Sequence, residues 1–185
     1  MSELSRPLIA PCAMQRAFTL FELLIVLLII SILMTIAIPS YRDVTIAQRL
    51  TAAASDIAAA LQLARAEAIK RQTRVAVCEQ PVRVICPPEN SWRGGWIVAA
   101  DDNYDRTWNA DDSIVREFSQ DYPALEIYAS RRGPLVFYPD GRSPGSTTTV
   151  TVCHVGSDDI RQVILNNAGR VRIERSTRKA DDECR

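Results

Sequence analysis

The first forty residues contain a long apolar run. Residues 23–38 carry no charge, and only Ser31 and Thr35 among them are polar. Residues 18–38 number 21. As a helix they span about 31 Å, which matches a hydrocarbon core of about 30 Å. The run is therefore predicted to cross a bilayer once.

Beyond Pro39 the apolar residues stay on one face of a predicted helix. Those on this face are Leu50, Ile57, Leu61, Ala64 and Ala68, at spacings of 7, 4, 3 and 4. The residues on its other faces are Arg49, Asp56, Gln62, Arg65 and Lys70. This period is typical of an amphipathic helix. We expect it to continue the apolar helix and to pack against a sheet.

From Thr73 onward, short alternating or β-branched runs alternate with turn residues. The predicted strands are 74–78, 82–86, 96–99, 114–118, 125–128, 135–138, 147–155, 163–165 and 170–173. Proline, glycine and asparagine separate them. One long helix followed by strands predicts an α+β fold with an antiparallel sheet.

Charge and cysteine content narrow the class of protein. Basic and acidic residues are equal in number at 22 each, so any function that depends on charge must lie in a local patch.

The five cysteines are Cys12, Cys78, Cys86, Cys153 and Cys184. If the N-terminal segment directs export of the chain, the last four cysteines lie outside the cytoplasm, where disulfides persist. Three pairings are possible, and loop closure favours Cys78 with Cys86 and Cys153 with Cys184. The spacings of a zinc site are absent, and no cofactor is expected.

The residues before the apolar run form an unusual export signal. An ordinary secretory signal is cleaved after its apolar core, whereas here Arg16 and Ala17 precede the run. A cut at Ala17 would leave the run on the mature chain as an anchor. Glu22 is the one charge in this segment, and a carboxylate near hydrocarbon is a functional candidate. The new amino terminus of a neighbouring subunit is a suitable partner.

The hexapeptide Ala17-Phe18-Thr19-Leu20-Phe21-Glu22 resembles the G-F-T-L-x-E signal of type IV prepilins and type II secretion pseudopilins. It departs from that signal only at Ala17. The resemblance implies that prepilin peptidase cuts between Ala17 and Phe18 and that the Phe18 amine is methylated. It also implies that Glu22 serves assembly and that Pro39 bends or melts the helix.

This resemblance implies an organisation and a location. The leader would be 1–17, the transmembrane and assembly helix 18–39, the amphipathic half of the helix 40–72, and the β-rich domain 73–185. The chain would cross the bacterial inner membrane once, with its globular domain in the periplasm. Assembly with other pilin subunits would then place it in an extracellular pilus.

More narrowly, the β-rich part resembles the GspH/FimT branch of minor pilins and pseudopilins. The residues that carry this resemblance are Cys78 after the first strand, Trp92, Gly95-Trp96-Ile97-Val98, the acidic loop 101–112 and Gly169-Arg170-Val171-Arg172. It implies the type IV pilin-like fold, a long helix on an antiparallel sheet.

Two other constellations are weaker. Residues 101–112 place Asp or Asn at several positions of a calcium loop, but Arg106 stands where glycine is required. A solvated turn rich in Asp and Asn is the favoured interpretation, and calcium binding stays open.

His154 lies beside Cys153 in a predicted strand, where adjacent side chains point to opposite faces. The pair is not suited to catalysis, and no enzyme is expected.

The C-terminal end is locally basic. Its cations are Arg161, Arg170, Arg172, Arg175, Arg178 and Lys179, opposed within that span only by Glu174. Arginine suits phosphate oxygens. Gly169-Arg170-Val171-Arg172 is similar to the GRxR motif of FimT-type minor pilins, which bind DNA during natural transformation. This implies that Arg170 and Arg172 contact phosphates and that Gly169 shapes the turn.

These observations predict a minor pilin that binds DNA without sequence preference. The first alternative is a structural minor pilin or a type II secretion pseudopilin, in which the same basic strand contacts neighbouring subunits. The second alternative, a membrane-anchored exported enzyme, lacks a convergent polar site.

Overall fold

A computed structural model describes residues 19–79, 86, 92, 94–109, 111–118, 122 and 124–176, without the side chains of 36–40. The chain divides into two compact units, Met1–Arg42 and Asp43–Arg185. Several predicted site residues lie outside the described part of the chain: Ala17, Phe18, Arg178, Lys179 and Cys184.

One helix, α1 (Leu20–Arg71, 52 residues), runs through both units. The Glu22 amide donates to Thr19 Oγ1 at 3.2 Å, so Thr19 caps the first turn. The helix ends where Gln72 takes a φ of 56°. Position 39 lies inside α1, and nothing is described of the Pro39 side chain. Within the described ranges, no helix meets the length and apolarity that a membrane span requires.

The predicted amphipathic stripe is confirmed. Its five members are all 0% exposed: Leu50, Ile57, Leu61, Ala64 and Ala68. Alanines between them, such as Ala53 and Ala60, are also fully buried. Small side chains let the helix approach the strands closely, so this half of α1 forms one wall of the core.

Eight strands form the rest of the described fold. They are β1 (Val75–Glu79), β2 (Trp96–Ala100), β3 (Ser113–Phe118), β4 (Leu125–Ala129), β5 (Leu135–Phe137), β6 (Thr148–His154), β7 (Ile160–Leu165) and β8 (Val171–Ser176). The expected α+β fold with antiparallel strands is confirmed. The predicted strand 82–86 lies outside the described residues except for Cys86.

The strands form two four-stranded sheets, not the single sheet expected, in the orders β3-β2-β1-β5 and β4-β6-β7-β8. The reason is that β5 pairs with β1 while β4 pairs with β6. The chain thus changes sheet between adjacent strands. This places β8 at the edge of the second sheet, with only β7 as its described partner.

The structure contains the expected Cys78–Cys86 disulfide. It ties the end of β1 to the segment that follows. Cys153 in β6 is also disulfide-bonded, to a partner outside the described residues. Its expected pairing with Cys184 stays a prediction.

Candidate functional site

The basic motif lies on the hairpin that joins β7 and β8. The Gly169 amide donates to the Asn166 carbonyl at 2.9 Å, and the Asn166 amide donates to the Arg170 carbonyl at 3.2 Å. The Asn166 side chain accepts from the Arg170 amide at 2.9 Å. These bonds fix the backbone on both sides of Gly169, so Arg170 leaves the turn from a defined position.

Gly169 meets a strict steric requirement in this turn. Its φ is +74°, which favours glycine because a side chain is strained there. A Cβ at this position would also collide with the Gly141 carbonyl oxygen and touch the Phe137 ring. Gly169 therefore forms a sharp turn and packs closely against Gly141, while its role in DNA binding stays a prediction.

A cation from α1 braces the same turn. Arg65 Nη1 donates to the Gly169 carbonyl oxygen at 2.9 Å, and the contact is partly buried. That carbonyl is bonded covalently to the amide nitrogen of Arg170, so the Arg65 guanidinium lies against the backbone of the motif. Because Arg65 and Gly169 are 104 positions apart in the chain, the sequence alone does not reveal this contact.

Arg170 is exposed. Among the described residues, its side chain has no hydrogen bond or ion pair, and its contacts in the hairpin are made by its backbone. It lines an open groove with residues of α1 and the hairpin: Gln62, Arg65, Ala66, Ile69, Gly169 and Val171. The guanidinium is available to a ligand.

Arg172 is placed differently. It lies within β8, and its Nε is 2.8 Å from Glu174 Oε1, with side-chain exposures of 67% and 48%. Residues two apart on a strand share a face, which explains the pair. An exposed ion pair is weak, so Arg172 can exchange this partner for another anion. Its charge is nevertheless partly neutralised.

Two further cations of the basic cluster converge on one carboxylate. Arg161 Nη1 lies 2.6 Å and Arg175 Nε 2.9 Å from Asp159 Oδ1. Burial alone would raise the pKa of Asp159, but hydrogen bonds and attraction from Arg161 and Arg175 outweigh it and hold the pKa low. Arg161 also reaches Thr51 Oγ1 on α1 at 3.3 Å. Through Arg161, this cluster therefore connects the second sheet to α1.

The acidic loop is built by its own hydrogen bonds. Asp112 accepts the amides of Asp102 and Asn109, at 3.1 and 3.0 Å. Asp105 accepts from the hydroxyl and amide of Thr107, and these bonds lower the Asp105 pKa. Within the described ranges, no group of three or more metal-ligating side chains is close enough to hold an ion. The hydrogen bonding supports the turn interpretation.

The Cys153–His154 pair offers no nucleophile. Cys153 is disulfide-bonded, so it has no thiolate. His154 Nδ1 is buried and makes no hydrogen bond within the described part of the chain.

The fold places the chain in a class. A long helix, whose second half packs against antiparallel sheets, is the type IV pilin-like α+β fold. Residues 12–38 match the prokaryotic N-terminal methylation motif. Residues 53–169 match the type II transport protein GspH family, and the chain belongs to that family. The match ends at Gly169, immediately before Arg170.

Two solved structures share the fold. Both are of FimU, a type IV minor pilin of Pseudomonas aeruginosa PAO1. The structure in space group P21 has 20% identity and a TM-score of 0.55, covering 69% of this chain and 89% of that chain. The structure in P65 has 21% identity and a TM-score of 0.53, covering 68% and 92%. No curated protein sequence matches this chain.

The family match, the methylation motif and the fold together place the chain among the pilin-like and pseudopilin proteins. These are structural proteins that act as subunits.

Proposed function

We propose that this chain is a minor pilin that is processed by prepilin peptidase, joins a type IV pilus or its tip complex, and binds DNA without sequence preference during natural transformation. The proposal has two parts with separate support. The first is processing and assembly through the N-terminal segment. The second is DNA contact through the β7–β8 hairpin.

The N-terminal motif supports the first part. It covers the proposed cleavage bond between Ala17 and Phe18, as well as Glu22. The large apolar side chains between Leu20 and Met34 are 43–78% exposed. We infer that the inner membrane covers this surface before assembly, and that other pilin subunits cover it in the filament.

One observation carries the DNA proposal: Arg170 presents an exposed guanidinium, unpaired within the described part of the chain, from a turn that its neighbours hold rigidly. A guanidinium matches phosphate oxygens with two parallel donors. Arg172 adds an exposed cation two residues further on. Arg175 is a weaker contributor, because it is already bonded to Asp159. Arg178 and Lys179 are weaker because their charge alone suggests them.

Binding of this kind should be strongly dependent on salt. Phosphate contacts release counterions, and each contact contributes about 0.7–0.9 to the slope of log K against log salt. The proposed contacts are to phosphates, which carry no sequence information, so affinity should depend little on sequence.

The test is DNA binding by the full chain in nonionic detergent, measured by fluorescence anisotropy at several salt concentrations. Arg170→Ala with Arg172→Ala should weaken binding at least about tenfold and lower the salt slope by about 1.4–1.8. The control is Arg42→Ala with Arg49→Ala, which removes two exposed charges from α1 and should have little effect. If the wild type does not bind DNA even at low salt, the DNA proposal is wrong.

A structural role without DNA binding is the second candidate. The family description as a type II transport protein favours it, as does the use of Arg172 in an ion pair with Glu174. In this case β8 would contact neighbouring subunits of a type II secretion pseudopilus. Genes for secretion proteins beside this gene, together with no DNA binding, would select this alternative.

A further inference from the structure

The groove beside the hairpin contains two arginines from different elements. Arg65 comes from α1 and Arg170 from the hairpin, and both line the same open space of about 460 Å³. Gln62, one turn before Arg65 on α1, adds an exposed amide. No carboxylate is among the described residues that line the groove. The described lining therefore carries a net positive charge.

Arg65 keeps N–H donors that its hydrogen bond to Gly169 does not use. A guanidinium carries five N–H groups, and the one described bond of Arg65 uses a single N–H of Nη1. That bond also orients the planar group before any ligand arrives, so less side-chain entropy is lost on binding. Arg65 combines a structural bond on one side with free donors on the other.

We propose that this groove is a subsite for one phosphate of the DNA backbone, with Arg65 and Arg170 as its two cationic ligands and Gln62 as a neutral donor at its edge. The proposal rests on the proposed DNA-binding function and adds a helix residue to it. The phosphate is held between α1 and the hairpin, so the bound strand passes over the helix as well as along β8.

Removing Arg65 would be a poor test, because the same change breaks the bond to Gly169 and disturbs the hairpin. Gln62 is a better probe, since it is exposed and has no described hydrogen bond. Gln62→Glu puts a negative charge into the groove, and Gln62→Lys puts a positive one there. Neither change removes a contact that holds the fold.

Gln48 provides a matched control. It is also exposed on α1. The 14 positions between Gln48 and Gln62 correspond to about 21 Å of helix, or roughly two Debye lengths at 0.1 M salt. Gln48→Glu and Gln48→Lys therefore reproduce the change in net charge without placing that charge near the groove.

The experiment measures DNA affinity of the full chain in nonionic detergent at about 0.1 M salt for all four variants. We expect Gln62→Glu to weaken binding about fivefold and Gln62→Lys to strengthen it about as much, while the Gln48 variants stay within about twofold of the wild type. If the Gln62 and Gln48 variants behave alike although the wild type binds, the groove is not a subsite and DNA binding stands. If the wild type does not bind, both proposals are overturned.

Discussion

Gly169 in the β7–β8 hairpin lies directly against the carbonyl oxygen of Gly141, so closely that no side chain fits between them. The contact joins the hairpin to the turn after β5, which belongs to the other sheet. The glycine of the basic motif is thus required by packing, independently of any ligand.

A substitution at Gly169 should therefore destabilise the fold more than the same substitution at a glycine in open space. Gly145 has a φ of +73°, against +74° for Gly169, but nothing lies within 4 Å of the position that a Cβ would take there. Gly145→Ala should cost about 1–2 kcal/mol through backbone strain. Gly169→Ala should cost a further 1–3 kcal/mol or so through overpacking. Urea unfolding measures both, and equal losses would show that the contact with Gly141 relaxes freely.

Asp159 should contribute stability that depends on pH. Its pKa in the folded state is held low by Arg161 and Arg175 in spite of partial burial, so its contribution is present above the unfolded-state pKa of about 3.9. It is lost as the pH falls through the lower folded-state value. Asp159→Asn should lower the free energy of unfolding by about 1–3 kcal/mol at pH 7.

The difference between wild type and Asp159→Asn should shrink as the pH falls below about 4, and chemical denaturation across that range measures it. Asp158→Asn is the matched control, since Asp158 is exposed and has no described ion pair. A deficit for Asp159→Asn that is unchanged at acidic pH would contradict the assignment to its ionised carboxylate.

Tyr122 should ionise at a pKa above the ordinary tyrosine value. Burial raises its pKa, and the hydrogen bond to Asp56 at 2.6 Å and the charge of Asp56 raise it further. Because the pKa is raised on folding, this contribution to stability is complete below pH 10 or so and is lost above it. Tyr122→Phe should cost about 0.5–1.5 kcal/mol at pH 7.

Absorbance titration of tyrosinate tests this assignment. Tyr122→Phe should remove a late-ionising component, and the control Tyr104→Phe, which changes a 68% exposed side chain, should leave that component in place. The same late component in both variants would mean that it belongs to another tyrosine.

The helix and its buried face could be predicted because both depend on local pattern. The stripe from Leu50 to Ala68 repeats with the helical period, and alanine favours helix. Strand positions were also close to those observed, as with 125–128 against Leu125–Ala129. The division into two sheets could not be predicted, because it depends on which distant strands pair.

In the candidate site, too, contacts that follow from local pattern could be predicted, and contacts between distant parts of the chain could not. The pairing of Arg172 with Glu174 follows from strand alternation and could be predicted in principle. The bond from Arg65 to Gly169 could not, since only the packing of α1 on the sheets brings them together. Asp159 was also missed as the partner of Arg161 and Arg175. The local excess of positive charge was therefore overestimated from the sequence.

The proposed processing at Ala17 would also determine the disulfide partner of Cys153. The cut would remove Cys12, and Cys78 is already bonded to Cys86, so the disulfide-bonded Cys153 would have only Cys184 as a partner within the mature chain. Coexpression with prepilin peptidase should give an intact mass that lacks residues 1–17 and includes one added methyl group.

A protease digest without reduction should then contain one linked pair of peptides that carry Cys153 and Cys184. Cys184→Ala should leave Cys153 open to alkylation, while the Cys78–Cys86 bond stays intact as the internal control. If Cys153 is linked instead to Cys12 or to a second chain, the assignment is wrong. A retained leader with Cys12 joined to Cys153 would contradict both the proposed processing and the pairing, since the cut would not then free the mature subunit.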